Sequence, residues 1–538
     1  MKNKLWVYVS LAALALIGVV SLRISTRLGP GVGGDATIYL TSASNFVKGI
    51  GLGIVDASGE FRLLPYFPPF FPLTLAFFIW AGVEPLQAVL WLNIILFALS
   101  IWMVGFLVLR AWAGDGLAVL ASALTAVSPV LIPVYSWAMA EPLAIFLGFA
   151  GIGLTLRYLK QPGSAGLLFA AGIVGGLSIL TRYSMAAFLA AGAAGILLLS
   201  PVRWRTRLAR AASYLFAGIL PAVLWMAYDL TQTAAVSSRS MESAVGMMAR
   251  LNSFWPPLRE VFLFWLVPDS WISSPPYPGL FNNVLLAGMV LGLGIALGWG
   301  GLVLLKKGAS ALQDPLLQFG VILVFVILAY LIVVGVVYVT TYPPITIGTR
   351  MFSPLHTAVI LFLVVVAGLL SKTRVRFFRM SAGLLVAGLV LLTLWWGWRS
   401  ARIVAQNAQQ GMGFNALSWK QSDTIHALQK LPEDSLLVTN EEMAVYYLTG
   451  RSAYPLAEIY TDQPLETFSR YGDGDLSGDE AQQVFRQKGA ALVLFNSITT
   501  QLEPIYGAQT NERIQALTRD LKVVFRGEDG SIYQYPQP

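Results

Sequence analysis

The 538-residue chain contains no cysteine. That excludes thiol catalysis, disulfide bridges and cysteine-ligated zinc. Its two histidines, His356 and His426, are too few for a histidine-rich metal site. Charge is scarce as well. The 36 Lys+Arg and 28 Asp+Glu make up 12% of the residues, about half the share of an ordinary soluble domain. A soluble chain of this length needs more polar surface. A cytosolic enzyme, a disordered chain and a disulfide-stapled secreted scaffold are therefore all excluded. No internal repeat and no low-complexity tract is present.

What the chain does have is apolar length. Hydrophobic residues make up 56%, and the mean hydropathy is +0.67. The composition is that of an α-helical polytopic membrane protein. Runs long enough to span a bilayer fall near 5–22, 86–109, 117–134, 141–159, 165–181, 185–200, 211–228, 283–304, 317–339, 351–370 and 381–398, eleven in all. A shorter run, 68–83, opens on Pro68-Pro69-Phe70-Phe71-Pro72 and reads as an interfacial or re-entrant helix. The separation of 165–181 from 185–200 rests on Thr181-Arg182-Tyr183, and one long helix there would reverse the parity of everything after it.

The net charge of +8 invites a nucleic-acid partner, but its distribution argues against one. Residues 1–399 hold 25 Lys+Arg and 11 Asp+Glu, a balance of +14; residues 400–538 hold 11 and 17, a balance of −6. With the N-terminus inside and the runs alternating, the inner loops receive 15 basic residues against two acids, Asp115 and Asp314. That asymmetry fits the positive-inside rule. It puts residues 400–538 outside, together with the loops 23–67 and 229–282. Within the second loop, 257–267 reads as a helix lying in the interface. The first run has the basic start of a signal peptide but no convincing cleavage site, so it is expected to stay as a membrane helix.

The expected domains are thus 1–399, in the membrane, and 400–538, a small outer-face α/β domain. In the latter, the apolar runs Leu436–Thr439, Ala491–Phe495 and Val523–Phe525 alternate with helical patterns near 418–430, 441–449, 479–488 and 511–520. It has no glycine-rich phosphate loop and no nucleophile elbow. Asp473-Gly-Asp475-Leu-Ser477-Gly478-Asp479 matches half of a calcium loop, but Val484 stands where the closing glutamate belongs, so a polar turn is expected there.

Acids are rare before residue 400, so their positions matter. Asp35 follows Gly33-Gly34, where glycine permits close approach of a partner. Tyr39, Ala43 and Phe46, at i, i+4 and i+7, mark a short amphipathic helix beginning at Asp35. On spacing alone, an N-cap is the simplest role for Asp35. Glu141, in Met139-Ala140-Glu141-Pro142, stands at the outer start of the fourth run, where it would complement the helix dipole. Arg182 and Arg350 stand at outer run ends, where snorkelling is the plain reading. The topology nevertheless places all four at one depth. Two guanidiniums suit a phosphate, and a carboxylate suits the proton of an attacking hydroxyl. A phosphate at that depth means a phospholipid-type donor.

These residues resemble the GT-C membrane glycosyltransferases, the branch containing protein O-mannosyltransferases and the aminoarabinose transferases acting on lipid A. The likeness is carried by Gly34-Asp35 with Tyr39, Ala43, Asn45 and Gly49-x-Gly51-Leu52, and by Tyr66-Phe67-Pro68-Pro69-Phe70-Phe71-Pro72-Leu73-x-Leu75-Ala76. Ser128-Pro129, Met139-Ala140-Glu141-Pro142, Leu180-Thr181-Arg182-Tyr183 and Arg350-Met351-Phe352-Ser353-Pro354 complete it, over about residues 1–400. The resemblance implies an inverting transfer of sugar from a polyprenyl-phosphate donor to a hydroxyl on a lipid, glycan or protein. Asp35 would be the catalytic carboxylate and Glu141 the second acidic position. Arg182 and Arg350 would stabilise the leaving lipid phosphate. Tyr39, Tyr66, Tyr183 and His356 would line the substrate cavity, with a buried structural role as the alternative for His356.

The chain also departs from that family. Ala36 follows Asp35 where protein mannosyltransferases place a glutamate, which argues against protein O-mannosylation. Phe67 stands where some members have a basic residue, so Lys48 or Arg62 would substitute at the donor phosphate. Two carboxylate oxygens alone make a poor magnesium or manganese site, so a divalent cation between Asp35 and Glu141 is an open expectation. A lipid-linked-sugar flippase or transporter would need polar residues at mid-membrane and paired half-repeats; the sequence shows neither. A polysaccharide polymerase or ligase would be expected to carry more outer arginines. A prokaryotic plasma membrane is the simplest home.

Overall fold

The computed structural model describes residues 5–55, 57, 59–64, 67–233, 247–268, 283–284, 287–288, 294, 313–341, 345–456, 489–519 and 521–534. Most of the run 283–304, Tyr66, the acidic turn 473–479 and the helical pattern 479–488 lie outside the described residues.

Helix α1 spans Leu5–Ser25. After a short extended stretch come α2 (Gly34–Val47) and an antiparallel ribbon, β1 (Gly53–Val55) with β2 (Phe61–Leu63). The proline-led run forms α3 (Phe70–Trp80). Helix α4 (Pro85–Arg110) starts where it does because Glu84 accepts the backbone N–H of Gln87 at 2.9 Å and Pro85 needs no N–H partner. The run 117–134 is not one helix. It breaks into α5 (Asp115–Ala126) and α6 (Leu131–Ser136), because Pro129 cannot continue the ladder and the Ser128 hydroxyl accepts the N–H groups of Val130 and Leu131.

Helix α7 (Glu141–Lys160) is followed by α8 (Ala165–Ile179), capped by Ser164. A turn through Leu180–Arg182 and one 3-10 turn then lead to α9 (Ala186–Leu199). The expected split at Thr181-Arg182-Tyr183 is present. Helices α10 (Trp204–Thr233) and α11 (Met247–Leu266) follow. Next come α12 (Pro315–Thr340), α13 (Ser353–Ser371) and α14 (Arg376–Gln410). Helix α14 runs well past the apolar segment and stops at Gly411, whose φ of +75° suits glycine.

Seven of the described helices are long and apolar enough to cross a membrane. Those at 115–126, 165–179 and 183–199 are apolar but shorter. Helices α8 and α10 pack backbone to backbone. A Cβ on Gly176 would lie 2.3 Å from the Gly218 carbonyl oxygen, so only glycine allows the approach. The C-terminal end of α11 is tied to α14, where the Trp395, Trp396 and Arg399 side chains donate to the carbonyls of Leu266, Trp265 and Phe264. These bonds satisfy helix-end acceptors that lipid could not.

Two short helices, α15 (Leu417–Lys420) and α16 (Asp423–Leu428), lead into the C-terminal α/β unit. It comprises β3 (Leu437–Thr439), α17 (Glu442–Thr449), β4 (Tyr454–Pro455), β5 (Ala491–Phe495), α18 (Ser497–Tyr506), α19 (Thr510–Thr518), β6 (Lys522–Arg526) and β7 (Gly530–Gln534). The sheet order is β4-β3-β5-β7-β6, parallel from β4 to β5 and antiparallel beyond. Beyond the three expected strands it gains two more, the two-residue β4 and the five-residue β7.

This unit sits on residues 30–64. Met443 of α17 packs with Ile38, Leu52 and Leu64. The Phe414 N–H donates to the Val32 carbonyl at 2.7 Å, and the Asn415 amide donates to the Pro30 carbonyl at 2.8 Å. On its other side, the same stretch exchanges hydrogen bonds with 136–138: Gly31 N–H to Ser136 O at 2.9 Å, and Ala138 N–H to Gly31 O at 2.8 Å. A Cβ on Gly31 would lie 2.5 Å from the Trp137 ring. Gly31→Ala is therefore expected to destabilise the protein by about 1–3 kcal/mol through overpacking, read as a lower unfolding temperature in detergent.

Candidate active site

Four residues far apart in sequence meet at one end of the helical bundle. Asp35 lies in the first turn of α2. Gly33, not Asp35, holds the N-cap position, which leaves the aspartate carboxylate for other partners. It points to Arg350, whose Nη2 donates to Asp35 Oδ2 at 3.0 Å. Arg350 Nε is 3.2 Å from Glu141 Oε1, and its Nη1 donates to the Met139 sulfur at 3.0 Å. Arg182 Nη1 reaches the same Glu141 oxygen at 2.6 Å.

The result is one alternating chain of charge, Asp35–Arg350–Glu141–Arg182. Both guanidiniums hold Glu141 Oε1 at ion-pair distance without aiming an N–H along a hydrogen-bond direction, and Oε2 has no hydrogen-bond partner among the described residues. The contact is therefore chiefly Coulombic. The two ends of the chain differ in exposure. The Glu141 side chain is 0% exposed and that of Arg182 21%, whereas Asp35 is 37% exposed and Arg350 42%. Glu141 is the buried anchor, and Asp35 with Arg350 forms the open edge.

Local sequence explains each placement. Glu141 begins α7, so the helix dipole favours its charge in addition to the arginines. The turn before it is fixed by Asn93, whose amide donates to the carbonyls of Tyr135 and Trp137. Arg182 stands in the turn between α8 and α9, and the Leu180 carbonyl just before it accepts the N–H of Phe70 at 2.9 Å. Arg350 stands one turn ahead of α13, and the carbonyl of its neighbour Met351 accepts from the Tyr330 hydroxyl at 2.5 Å.

Tyr39 is buried among the four charges and packs edge-on against Phe67 and Phe71, with ring centroids 4.9 and 5.1 Å away. Burial pushes its hydroxyl well above the ordinary tyrosine range, so it stays protonated. Tyr330, on α12, is the residue the sequence reading missed. Its hydroxyl also lies 3.5 Å from Ser184 Oγ and close to Arg182 and Glu141. The sequence signal was slight, since Tyr330 is one of two tyrosines in an apolar run and Tyr338 bonds instead to Ser253 of α11.

The other expected residues lie apart from the cluster or outside the described residues. Tyr183 turns toward Trp225 and Asp229 of α10. His356 is not in a cavity. It is buried between Trp265 and Trp396, with ring centroids 4.8 and 5.0 Å away, and its Nε2 is 3.0 Å from Ser128 Oγ. It joins the turn between α5 and α6 to α11, α13 and α14, the structural role held as its alternative. Lys48 is exposed at the C-cap of α2, about 20 Å along the helix from Asp35. Arg62 lies on β2 in register with Ile54. Tyr66 lies outside the described residues.

The donor set does not fit a divalent cation. The Arg350 guanidinium already lies between Asp35 and Glu141, and no group of three or more potential ligands occurs among the described residues. A cation there would have to displace an arginine.

The chain path is similar to that of several solved structures. ArnT from Cupriavidus metallidurans, in the apo state, aligns over 99% of this chain and 99% of its own, with a TM-score of 0.55 at 15% identity. ArnT bound to undecaprenyl phosphate aligns over 99% and 100%, with a TM-score of 0.50 at 13% identity. The archaeal oligosaccharyltransferase AglB from Archaeoglobus fulgidus, in complex with an inhibitory peptide and a dolichol-phosphate, aligns over 99% of this chain and 74% of its own, with a TM-score of 0.50 at 13% identity. At these identities the likeness establishes the fold. No protein-family model and no curated protein matches the sequence.

Proposed function

We propose that the chain is an inverting glycosyltransferase that moves a sugar from a polyprenyl phosphate to an acceptor hydroxyl at the outer face of a membrane. The observation that carries this reading is the charge chain, with its buried anchor and open Asp35–Arg350 edge. The lipid phosphates in the neighbouring folds, undecaprenyl phosphate and dolichol-phosphate, support the donor class. The positive-inside asymmetry supports an N-terminus in the cytoplasm and residues 411–538 outside.

Each residue then has a stated task. The Asp35 carboxylate takes the proton of the acceptor hydroxyl. The freed oxygen attacks the anomeric carbon from the face opposite the phosphate. The bond from that carbon to the phosphate oxygen breaks, and the lipid phosphate leaves with the electron pair. Arg350 and Arg182 stabilise the charge that develops on it. Glu141 holds both guanidiniums in place before substrate arrives, which lowers the cost of reorganisation. Tyr39 forms a neutral wall beside them.

The test is transfer of radiolabelled sugar from purified polyprenyl-phosphate donors by the reconstituted protein. Arg350→Ala is expected to lose about tenfold to hundredfold in kcat/KM for the donor, the range for a charge-assisted hydrogen bond. No transfer from any donor, with transport of the lipid-linked sugar instead, would overturn the assignment.

A further inference from the structure

A second basic site lies at the opposite end of the bundle. Helix α9 leaves the charged cluster and, about 20 Å further on, ends at Leu199. There the end of α9, the start of α10 and Gln313, just ahead of α12, line an open cavity of about 750 Å³, within the usual range for small-molecule sites. Its polar lining is Ser200, Arg203, Thr206, Arg207, Arg210 and Gln313, and no carboxylate lines it among the described residues. Asp314, beside Gln313, uses its carboxylate to cap α12 through the Leu316 N–H at 2.8 Å.

The site is built, not merely charged. Arg207 is fixed by hydrogen bonds from Nε to the Val202 carbonyl at 2.8 Å and from Nη1 to the carbonyls of Leu197 and Leu198 at 3.3 and 3.2 Å. Ser200 is 0% exposed, and its hydroxyl has no hydrogen-bond partner among the described residues. Arg210 lies beside the buried Tyr158 hydroxyl, which takes up part of its hydrogen-bonding capacity. A buried hydroxyl left in this state, as that of Ser200 is, in a concave, positively charged site calls for a partner. The surroundings indicate its chemistry, since Leu198, Trp204 and Leu208 are exposed beside the arginines. Positive charge next to exposed apolar and tryptophan side chains is the pattern of a lipid head-group site at the membrane boundary.

We propose that this cavity binds the phosphodiester head group of an anionic phospholipid, with Arg203 and Arg210 on the phosphate and Ser200 donating to one of its oxygens. The site is separate from the sugar-transfer reaction and does not depend on it. A free phosphate ion offers the same chemistry, but it would leave the apolar flank without a role.

The full-length protein in mild detergent tests the proposal by native mass spectrometry and thermal unfolding, with phosphatidylglycerol, phosphatidylcholine and inorganic phosphate as probes. Phosphatidylglycerol is expected to bind about tenfold more tightly than phosphatidylcholine and to raise the unfolding temperature. Arg210→Gln and Ser200→Ala should each reduce that preference. Arg203→Ala, at an exposed position that the fold tolerates, should do the same without changing the unfolding temperature of the lipid-free protein. If millimolar phosphate alone stabilises the protein and displaces the lipid, the phosphate site stands and its source is the free ion. Equal binding of the two lipids, or a full preference retained in Arg203→Ala, overturns the proposal.

Discussion

Asp35→Asn is expected to lower kcat about 10²- to 10⁴-fold while leaving the donor KM nearly unchanged, the loss typical of removing a general base. The substitution is close to isosteric, and the amide oxygen can still accept from Arg350. The exposed edge therefore keeps its geometry and loses only the proton acceptor. The side chain is 37% exposed, so stability should change by less than about 1 kcal/mol. The two measurements separate the possible roles. A structural aspartate would show itself as a fall in unfolding temperature with kcat intact. Full activity with unchanged stability would remove Asp35 from the reaction altogether.

Glu141→Ala is expected to act the other way, on folding first. Removing one partner of a buried ion pair typically costs about 3–5 kcal/mol, because the remaining charge stays buried without compensation. Here two guanidiniums would be left, Arg182 and Arg350, both held by one oxygen. The expected result is a large drop in unfolding temperature together with loss of transfer. A double-mutant cycle with Arg182→Ala checks the cause. The double variant should be more stable than the sum of the two single losses predicts. Strict additivity would mean that the two side chains act separately and that the short contact contributes little.

The sequence displays these features unevenly, for physical reasons. Long aliphatic runs such as 317–339 became helices with nearly the expected bounds, because periodicity and hydropathy are local properties. The four charged residues were legible because acids and arginines are rare at helix ends in an apolar chain. Their pairing was not, since Asp35 and Arg350 are 315 positions apart and no local pattern links them. The break after Ala126 was hidden by average hydropathy, which does not register a proline that interrupts an otherwise apolar stretch. The extension of α14 to Gln410 was hidden for the opposite reason, because residues 400–410 are polar yet good helix formers. His356 was placed by tryptophans on α11 and α14, contacts visible only once those helices are packed.

The extended stretch ahead of Asp35 carries a consequence for biosynthesis. Residues 28–33 are held on one side by 136–138 and on the other by 412–420, where the Lys420 ammonium donates to the Leu28 carbonyl at 3.0 Å. The first wall is available early in synthesis. The second emerges only after more than three-quarters of the chain has been made. Until then the backbone leading into α2 has half of its supports, although Arg350, the partner of Asp35, has already been made. A nascent chain therefore holds all four members of its charged cluster before the backbone ahead of Asp35 is fully supported. The order of translation thus sets when the protein can become active, and a ribosome that stalls before residue 411 releases a chain that lacks the second wall.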